Sequence, residues 1–191
     1  VHVDNKPLKI SKRAVTGNGE LPGAELVIKD SMGNVIDKWI SQTTEHWVEN
    51  IDPGKYTLEE LSSPAGYLRS KKVSFVVKND ESLQQIQMVD DISKVRIHKT
   101  DDVTGQPLEK VEFTMYSAEK DIKVAQGSTN KNGYQEFSYV EPGEYYIVET
   151  KLPKGYGLTG ADEKGRIYIT VEENQYENIP VLEVKNHYEW V

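Results

Sequence analysis

The chain has 191 residues, of which 31 are acidic and 23 are basic, so its formal net charge is −8. This acidic balance disfavours binding to nucleic acid and to anionic membrane surfaces. Cysteine is absent, which excludes disulfides, thiolate metal ligands and cysteine nucleophiles. The sequence shows no apolar run of membrane-spanning length, no signal peptide and no anchor, so we expect a non-inserted fragment whose anchor lies outside it.

The predicted secondary structure is β throughout, because short segments of alternating polarity recur and none carries a helical stripe over three turns. In chain order these segments lie at residues 8–10, 25–28, 73–77, 95–97 and 166–169. Turn signals separate them, including Asn18-Gly19 and Asn132-Gly133. This spacing predicts an all-β fold of immunoglobulin-like or transthyretin-like sandwiches.

The second half of the chain repeats the first. The block PGKYTLEE at residues 53–60, followed by PAGY at 64–67, aligns without a gap with PGEYYIVE at 142–149 and PKGY at 153–156. Upstream, VTG at residues 15–17 corresponds to VTG at 103–105. A repeat of about half the chain length indicates tandem units of one kind. We predict two homologous domains, residues 1–91 and 92–191.

The first predicted strand of each repeat directs a lysine into its own apolar face. Side chains at i, i+2 and i+4 of a strand share one face. Lys12 therefore lies in phase with the apolar residues at positions 8 and 10, and Lys99 with those at positions 95 and 97. The intervening residues, such as Ser11, are expected to face solvent.

Two further polar residues of each repeat follow the same rule. Glu60 and Glu149 continue the apolar face of the strand in the repeated block, and the last predicted strands reach Asp90 and Asn186. Asp91 adjoins Asp90, but strand parity favours Asp90 as the inward residue. We therefore expect each domain to bury a lysine, a glutamate and either an aspartate or an asparagine.

Two interpretations of these buried groups compete. In the first, each lysine extends to solvent from a strand end and pairs with its glutamate at the surface. In the second, the lysine is desolvated, loses its proton and attacks the side-chain carbonyl of Asp90 or Asn186, with the glutamate transferring protons. The second interpretation explains why the same triplet occurs twice, since a buried unpaired charge is costly.

At these residues the chain resembles the B-type repeat domains of collagen-binding surface proteins (CnaB-type), which also build Gram-positive pilins. The marks are the early lysine, the pattern Y-x-L/I-x-E-x-x-x-P-x-G-Y, and the endings Val89-Asp90 and Val184-Lys185-Asn186. The first repeat is also similar to the domain of a fibronectin-binding adhesin from which a protein-ligation pair was engineered.

This resemblance implies two tandem inverse immunoglobulin-like sandwiches, each with its first and last strands joined by an isopeptide bond. It assigns three roles in each domain: amine donors Lys12 and Lys99, catalytic acids Glu60 and Glu149, and acceptors Asp90 and Asn186. The chemistry it implies is a single self-cross-linking event, not enzymatic turnover, and it needs no cofactor. We predict no metal site either, because His98 and His187 lack further ligands.

The expected function is that of a stalk or adhesin module, outside the cell and attached to the cell wall of a Gram-positive organism. Its expected partners are neighbouring domains of the same surface protein or pilus. The alternative is a pair of ligand-binding domains that recognise a host matrix protein such as collagen or fibronectin. A third function, as an accessory domain in carbohydrate processing, has only the sandwich class in its favour.

Overall fold

A computed structural model describes residues 6–80, 82–157 and 165–189. These residues contain no helix, and hence none that is long and apolar enough to cross a membrane. Their strands are β1 (Lys6–Ala14), β2 (Glu25–Asp30), β3 (Val35–Ile40), β4 (His46–Ile51), β5 (Gly54–Ser62), β6 (Val73–Val77), β7 (Gln84–Asp90), β8 (Lys94–Asp101), β9 (Glu112–Ser117), β10 (Ile122–Ser128), β11 (Tyr134–Ser138), β12 (Gly143–Lys151), β13 (Arg166–Val171) and β14 (Leu182–Asn186).

The described residues form two compact units. The first runs up to Ile92 and includes the short segment Asn174–Glu177, and the second comprises Ser93–Glu173 together with the residues from Asn178 onward. The repeat pattern of the sequence did not predict that a segment from the second half of the chain belongs to the first unit.

The first unit is a sandwich of a three-stranded sheet, in the order β4-β1-β7, and a four-stranded sheet, in the order β3-β2-β5-β6. Its core lies between the sheets, because the inward side chains of both contribute to one buried apolar cluster. Leu8 and Ile10 of β1 and Leu58 of β5 are members of that cluster. Alternation along each strand produces this arrangement, since every second side chain points to the same face.

The second unit repeats the plan with sheets β11-β8-β14 and β10-β9-β12-β13. Val95, Ile97 and Ile147 occupy its core. The predicted all-β fold of two tandem sandwiches is therefore confirmed.

The repeated Pro-x-Gly-Tyr motif forms the same turn in both units. The backbone N–H of Tyr67 donates to the carbonyl of Pro64 over 3.1 Å, and Tyr156 makes the matching bond to Pro153 over 3.2 Å. The third residue of each turn has a φ near +88°, at +87° for Gly66 and at +89° in the second unit, and glycine adopts that conformation without steric cost. The tyrosine of each turn then forms an isolated antiparallel bridge just beyond the last strand of its unit, Tyr67 with Ile92 and Tyr156 with Tyr188.

Candidate cross-link sites

Parallel pairing of the first and last strands places lysine and acceptor side by side in each unit. In the first unit Ala14 of β1 pairs with Asp90 of β7. Lys12 lies two residues before Ala14 on the same face of β1, so it is a diagonal neighbour of Asp90. In the second unit Asp101 of β8 pairs with Asn186 of β14, and Lys99 holds the equivalent position. Both sites thus use one register, and a lysine side chain is long enough to reach the diagonal neighbour.

In the first site Lys12, Glu60 and Asp90 are brought together in the core. The exposed fractions are 2% for Lys12 and 0% for both Glu60 and Asp90. The Nζ atom of Lys12 contacts Oδ1 of Asp90 directly and lies 3.3 Å from Oε2 of Glu60. Asp91, in contrast, is exposed. The lysine does not extend to solvent, which excludes the interpretation as a surface ion pair.

The carboxyl group of Glu60 is strongly perturbed. Burial, together with a hydrogen bond to the Asp90 carboxyl and opposed by the nearby Lys12 charge, raises the pKa of Glu60 to about 8. Neither Oε2 of Glu60 nor Oδ2 of Asp90 has a hydrogen-bond partner when both groups are ionised. One shared proton would satisfy both oxygens, so the site favours a protonated Glu60 near neutral pH.

A loop segment holds the other oxygen of Glu60. The backbone N–H of Ser70 donates to Oε1 of Glu60 over 2.7 Å, and the Ser70 hydroxyl donates to the carbonyl of Val89 over 2.6 Å. Arg69 donates from Nε to the backbone carbonyl of Glu60 over 2.5 Å. Ser70 therefore ties the glutamate to β7 immediately before Asp90. Strand alternation did not point to this residue, because the donor is a backbone group in a loop.

The second site has the same three positions, but its acceptor is the amide of Asn186 instead of the carboxyl group of Asp90. Lys99 and Asn186 are completely buried, and Glu149 is 6% exposed. The Nζ atom of Lys99 contacts Oδ1 of Asn186 and lies 3.7 Å from Oε2 of Glu149. The Asn186 amide donates from Nδ2 to Oε1 of Glu149 over 2.7 Å. The acceptor itself thus makes the hydrogen bond that Ser70 provides in the first site.

Burial shifts both ionisable groups of the second site toward their neutral forms. Desolvation lowers the pKa of Lys99 to about 8, although the charge of Glu149 partly opposes it. Desolvation also raises the pKa of Glu149, against the opposing hydrogen bond from Asn186 and the charge of Lys99. A neutral amine is the nucleophilic form of lysine, so this site makes the reactive form accessible near neutral pH.

One expectation about β1 is wrong. Ser11 was expected to face solvent, yet it is fully buried and donates its hydroxyl to Oε2 of Glu20 over 2.7 Å. An isolated antiparallel bridge between Arg13 and Glu20 brings the following chain over the outer side of β1. Strand alternation predicts the face on which a side chain lies, but not what else covers that face.

The two histidines beside the second site pair with carboxylates. His98 Nδ1 lies 2.8 Å from Oε2 of Glu183, and His187 Nδ1 lies 3.0 Å from both carboxylate oxygens of Asp102. Across residues 6–80, 82–157 and 165–189, no group of three or more potential ligands is placed to hold a metal ion.

Residues 6–92 and 93–185 each match the SpaA family of prealbumin-like fold domains. A stretch of 66 residues is 39% identical to the trypsin-resistant surface T6 protein of Streptococcus pyogenes serotype M6, covering 34% of this chain and 12% of that protein. Among solved structures, the Bacillus anthracis TIE protein is 26% identical with a TM-score of 0.48, over 96% of this chain and 34% of that one. A streptococcal ancillary pilin is 20% identical with a TM-score of 0.44, over 98% of this chain and 63% of that one.

The chain thus spans about a third of the TIE chain and a smaller share of the T6 protein. The family match, in contrast, covers nearly all of this chain, once per repeat. The resemblance to domains of Gram-positive pilins and surface proteins is confirmed: the chain belongs to the SpaA family of prealbumin-like fold domains and contains two of them in tandem.

Proposed function

We propose that this chain is a structural module of a Gram-positive surface protein or pilus, and that each of its domains is locked by a self-formed isopeptide bond. The bonds join Lys12 to Asp90 and Lys99 to Asn186. The observation that carries the proposal is the direct contact of each buried lysine Nζ with the side-chain carbonyl oxygen of its acceptor. Such positioning converts a slow bimolecular amidation into an intramolecular reaction.

In the first domain the reaction is a condensation. The Lys12 ammonium passes one proton to the Asp90 carboxylate that it contacts, and the resulting neutral amine attacks Cγ of Asp90. Protonated Glu60 donates to the Asp90 oxygen that departs and then takes up the second proton of the attacking nitrogen, so a C–N bond forms, a C–O bond breaks and water leaves. The product is a neutral amide, which removes the cost of a buried ion pair.

In the second domain the same attack displaces ammonia. The neutral amine of Lys99 adds to Cγ of Asn186, and Nδ2 is the leaving group. Glu149, which accepts the hydrogen bond from Nδ2, is placed to pass the proton lost by the lysine to that nitrogen. A C–N bond forms as another breaks, and the leaving nitrogen departs with the proton it has gained.

Each bond would close nearly a whole domain. The linked residues are 78 positions apart in the first domain and 87 in the second. Because the linked strands are the first and last of their domain along the chain, tension applied at the chain ends would pass through the amide instead of separating the strands. A module of this kind suits a stalk outside the cell, attached to the cell wall and continuous with neighbouring domains of the same protein.

Intact mass under denaturing conditions tests the proposal. Loss of one water and one ammonia gives a deficit of about 35 Da relative to the sequence mass. Lys12→Ala is expected to leave only the ammonia loss, and Lys99→Ala only the water loss. A wild-type protein at its full sequence mass would refute the covalent function.

A further inference from the structure

The first unit has an open cleft of about 490 Å³ on the outer side of the sheet β4-β1-β7. We name it the Trp47 cleft. Its lining includes Lys9, Arg13, Thr43, Thr44, Glu45 and Trp47. The cross-linking residues of this unit do not line it.

Trp47 is the unusual member of this lining. Its side chain is 51% exposed, and the Nζ atom of Lys9 lies 4.6 Å from the ring centroid. The residue belongs neither to the buried core of the first unit nor to the partly buried side chains packed against that core. Leaving a large aromatic surface in contact with water is costly, and exposed aromatic residues are enriched at sites where a partner binds.

The homologous position in the second unit shows that the fold does not need this tryptophan. Lys9 pairs with Trp47 across β1 and β4, and Arg96 pairs with Glu136 across β8 and β11. Lys9 and Arg96 each stand three residues before the buried lysine of their unit. In the second unit the cation makes an ion pair of 3.6 Å with Glu136. Trp47 therefore replaces an ordinary surface salt bridge.

The charges of the lining select the class of ligand. Two cationic residues, Lys9 and Arg13, are balanced by two carboxylates, Glu20 and Glu45. Phosphate-rich or strongly acidic ligands would require an excess of positive charge. Among the described residues that line the cleft, Trp47 carries the one large apolar surface, so a peptide with several apolar anchors would find no second pocket.

We propose that the Trp47 cleft binds a neutral saccharide. A pyranose ring presents an apolar C–H face and a rim of hydroxyl groups. The C–H face matches the exposed part of the Trp47 indole, and the hydroxyl rim matches the donors and acceptors of Thr43, Thr44 and Glu45. This binding is independent of the isopeptide bonds.

The test follows the indole N–H resonance of Trp47 in ¹H–¹⁵N spectra of the whole chain during titration with lactose, cellobiose and diacetylchitobiose. Sialyllactose serves as the acidic comparison. At least one neutral disaccharide is expected to shift this resonance with a Kd of about 1 mM, as is usual for a few shallow contacts. Failure of all three to do so at about 10 mM, or tighter binding of sialyllactose, would overturn the proposal.

Two variants assign the binding to this cleft. Trp47→Glu introduces the residue that the second unit has at this position and is expected to weaken binding at least tenfold, as measured by calorimetry. Tyr168→Ala removes an exposed tyrosine of the second unit, which is 55% exposed, and is expected to leave the affinity unchanged. An unchanged affinity in Trp47→Glu would also overturn the proposal. The mass deficit of each variant reports independently on its fold.

Discussion

The side-chain amide of Asn186 donates from Nδ2 to Oε1 of Glu149 over 2.7 Å, while its Oδ1 faces the ammonium of Lys99. The nitrogen that would leave is therefore held on the group that can protonate it, and the carbonyl is presented to the nucleophile. In the first unit Glu60 has a different partner for this oxygen, the backbone N–H of Ser70. The two sites share positions but differ in the hydrogen bonds around the glutamate.

The glutamates give the first prediction. Glu149→Gln keeps the size of the side chain but removes its ability to exchange a proton, so the ammonia loss from the second domain should fall by at least about 100-fold in rate. The measurement is intact mass over time after folding is started from unlinked chain, prepared under denaturing conditions before either bond has formed. The first domain of the same molecule serves as an internal control, because its water loss should be unchanged. Ammonia loss at the wild-type rate would contradict the assigned role of Glu149.

The two domains should depend on pH in opposite ways. Burial raises the pKa of Glu60 to about 8, and bond formation in the first domain needs its protonated form, so that rate should fall as pH rises through about 8. Burial lowers the pKa of Lys99 to about 8, and the second domain needs the neutral amine, so that rate should increase over the same range.

Folding of unlinked chain, prepared under denaturing conditions before either bond has formed, is started at about pH 6 to about pH 10, roughly two units on each side of the pKa. Acid quench and mass spectrometry then separate the two reactions. Losses of water and of ammonia differ by about 1 Da per molecule, and proteolytic peptides resolve them. Lys99→Ala and Lys12→Ala provide one-domain controls. Parallel pH profiles in the two domains would show that these two groups do not limit the rates.

Ser70 is expected to position Glu60. Ser70→Pro removes the backbone N–H that binds Oε1, and Ser70→Ala removes only the hydroxyl bond to Val89. In the wild type this N–H lowers the pKa of Glu60, so its loss in the proline variant should raise that pKa. The fall in the rate of the first domain with rising pH should therefore move to higher pH. The alanine variant should slow the reaction without this shift. If the pH profile of the proline variant is the same as that of the wild type, Ser70 has only a structural role.

The bond should dominate the stability of the first domain. Closing a loop of 78 residues is worth about 4–5 kcal/mol on the chain-entropy description. Glu60→Ala, which blocks the reaction, should therefore lower the melting temperature by tens of degrees, since about 1 kcal/mol shifts a domain of this size by several degrees. Calorimetry measures the shift.

The double variant Lys12→Met with Asp90→Leu is the matched control for this stability effect. It also lacks the bond but removes the lysine and the acceptor together, so neither of these two groups is left as a buried charge without its partner, and it separates the contribution of the cross-link from that of the Lys12–Asp90 charges. Equal melting temperatures for wild type and double variant would mean that the bond adds no stability.

Much of this protein could be predicted from the order of its residues. The repeated Pro-Gly and Pro-x-Gly-Tyr blocks established two copies of one unit, and alternation along the strands predicted that Lys12, Glu60 and Asp90 would point inward. Parity also separated Asp90 from Asp91, because successive side chains of a strand point to opposite faces. Local geometry is sufficient for these inferences.

Other features depended on which strands become neighbours. The parallel register that brings Lys12 next to Asp90 joins residues 78 positions apart, and no local pattern specifies it. The burial of Ser11 requires Glu20 to fold back over β1, and the contact of Ser70 with Glu60 uses a backbone N–H that any residue except proline would supply. The sequence alone determined which side chains face the core of each domain. The tertiary structure decided which of them meet, because contacts between distant segments follow from the packing of whole sheets.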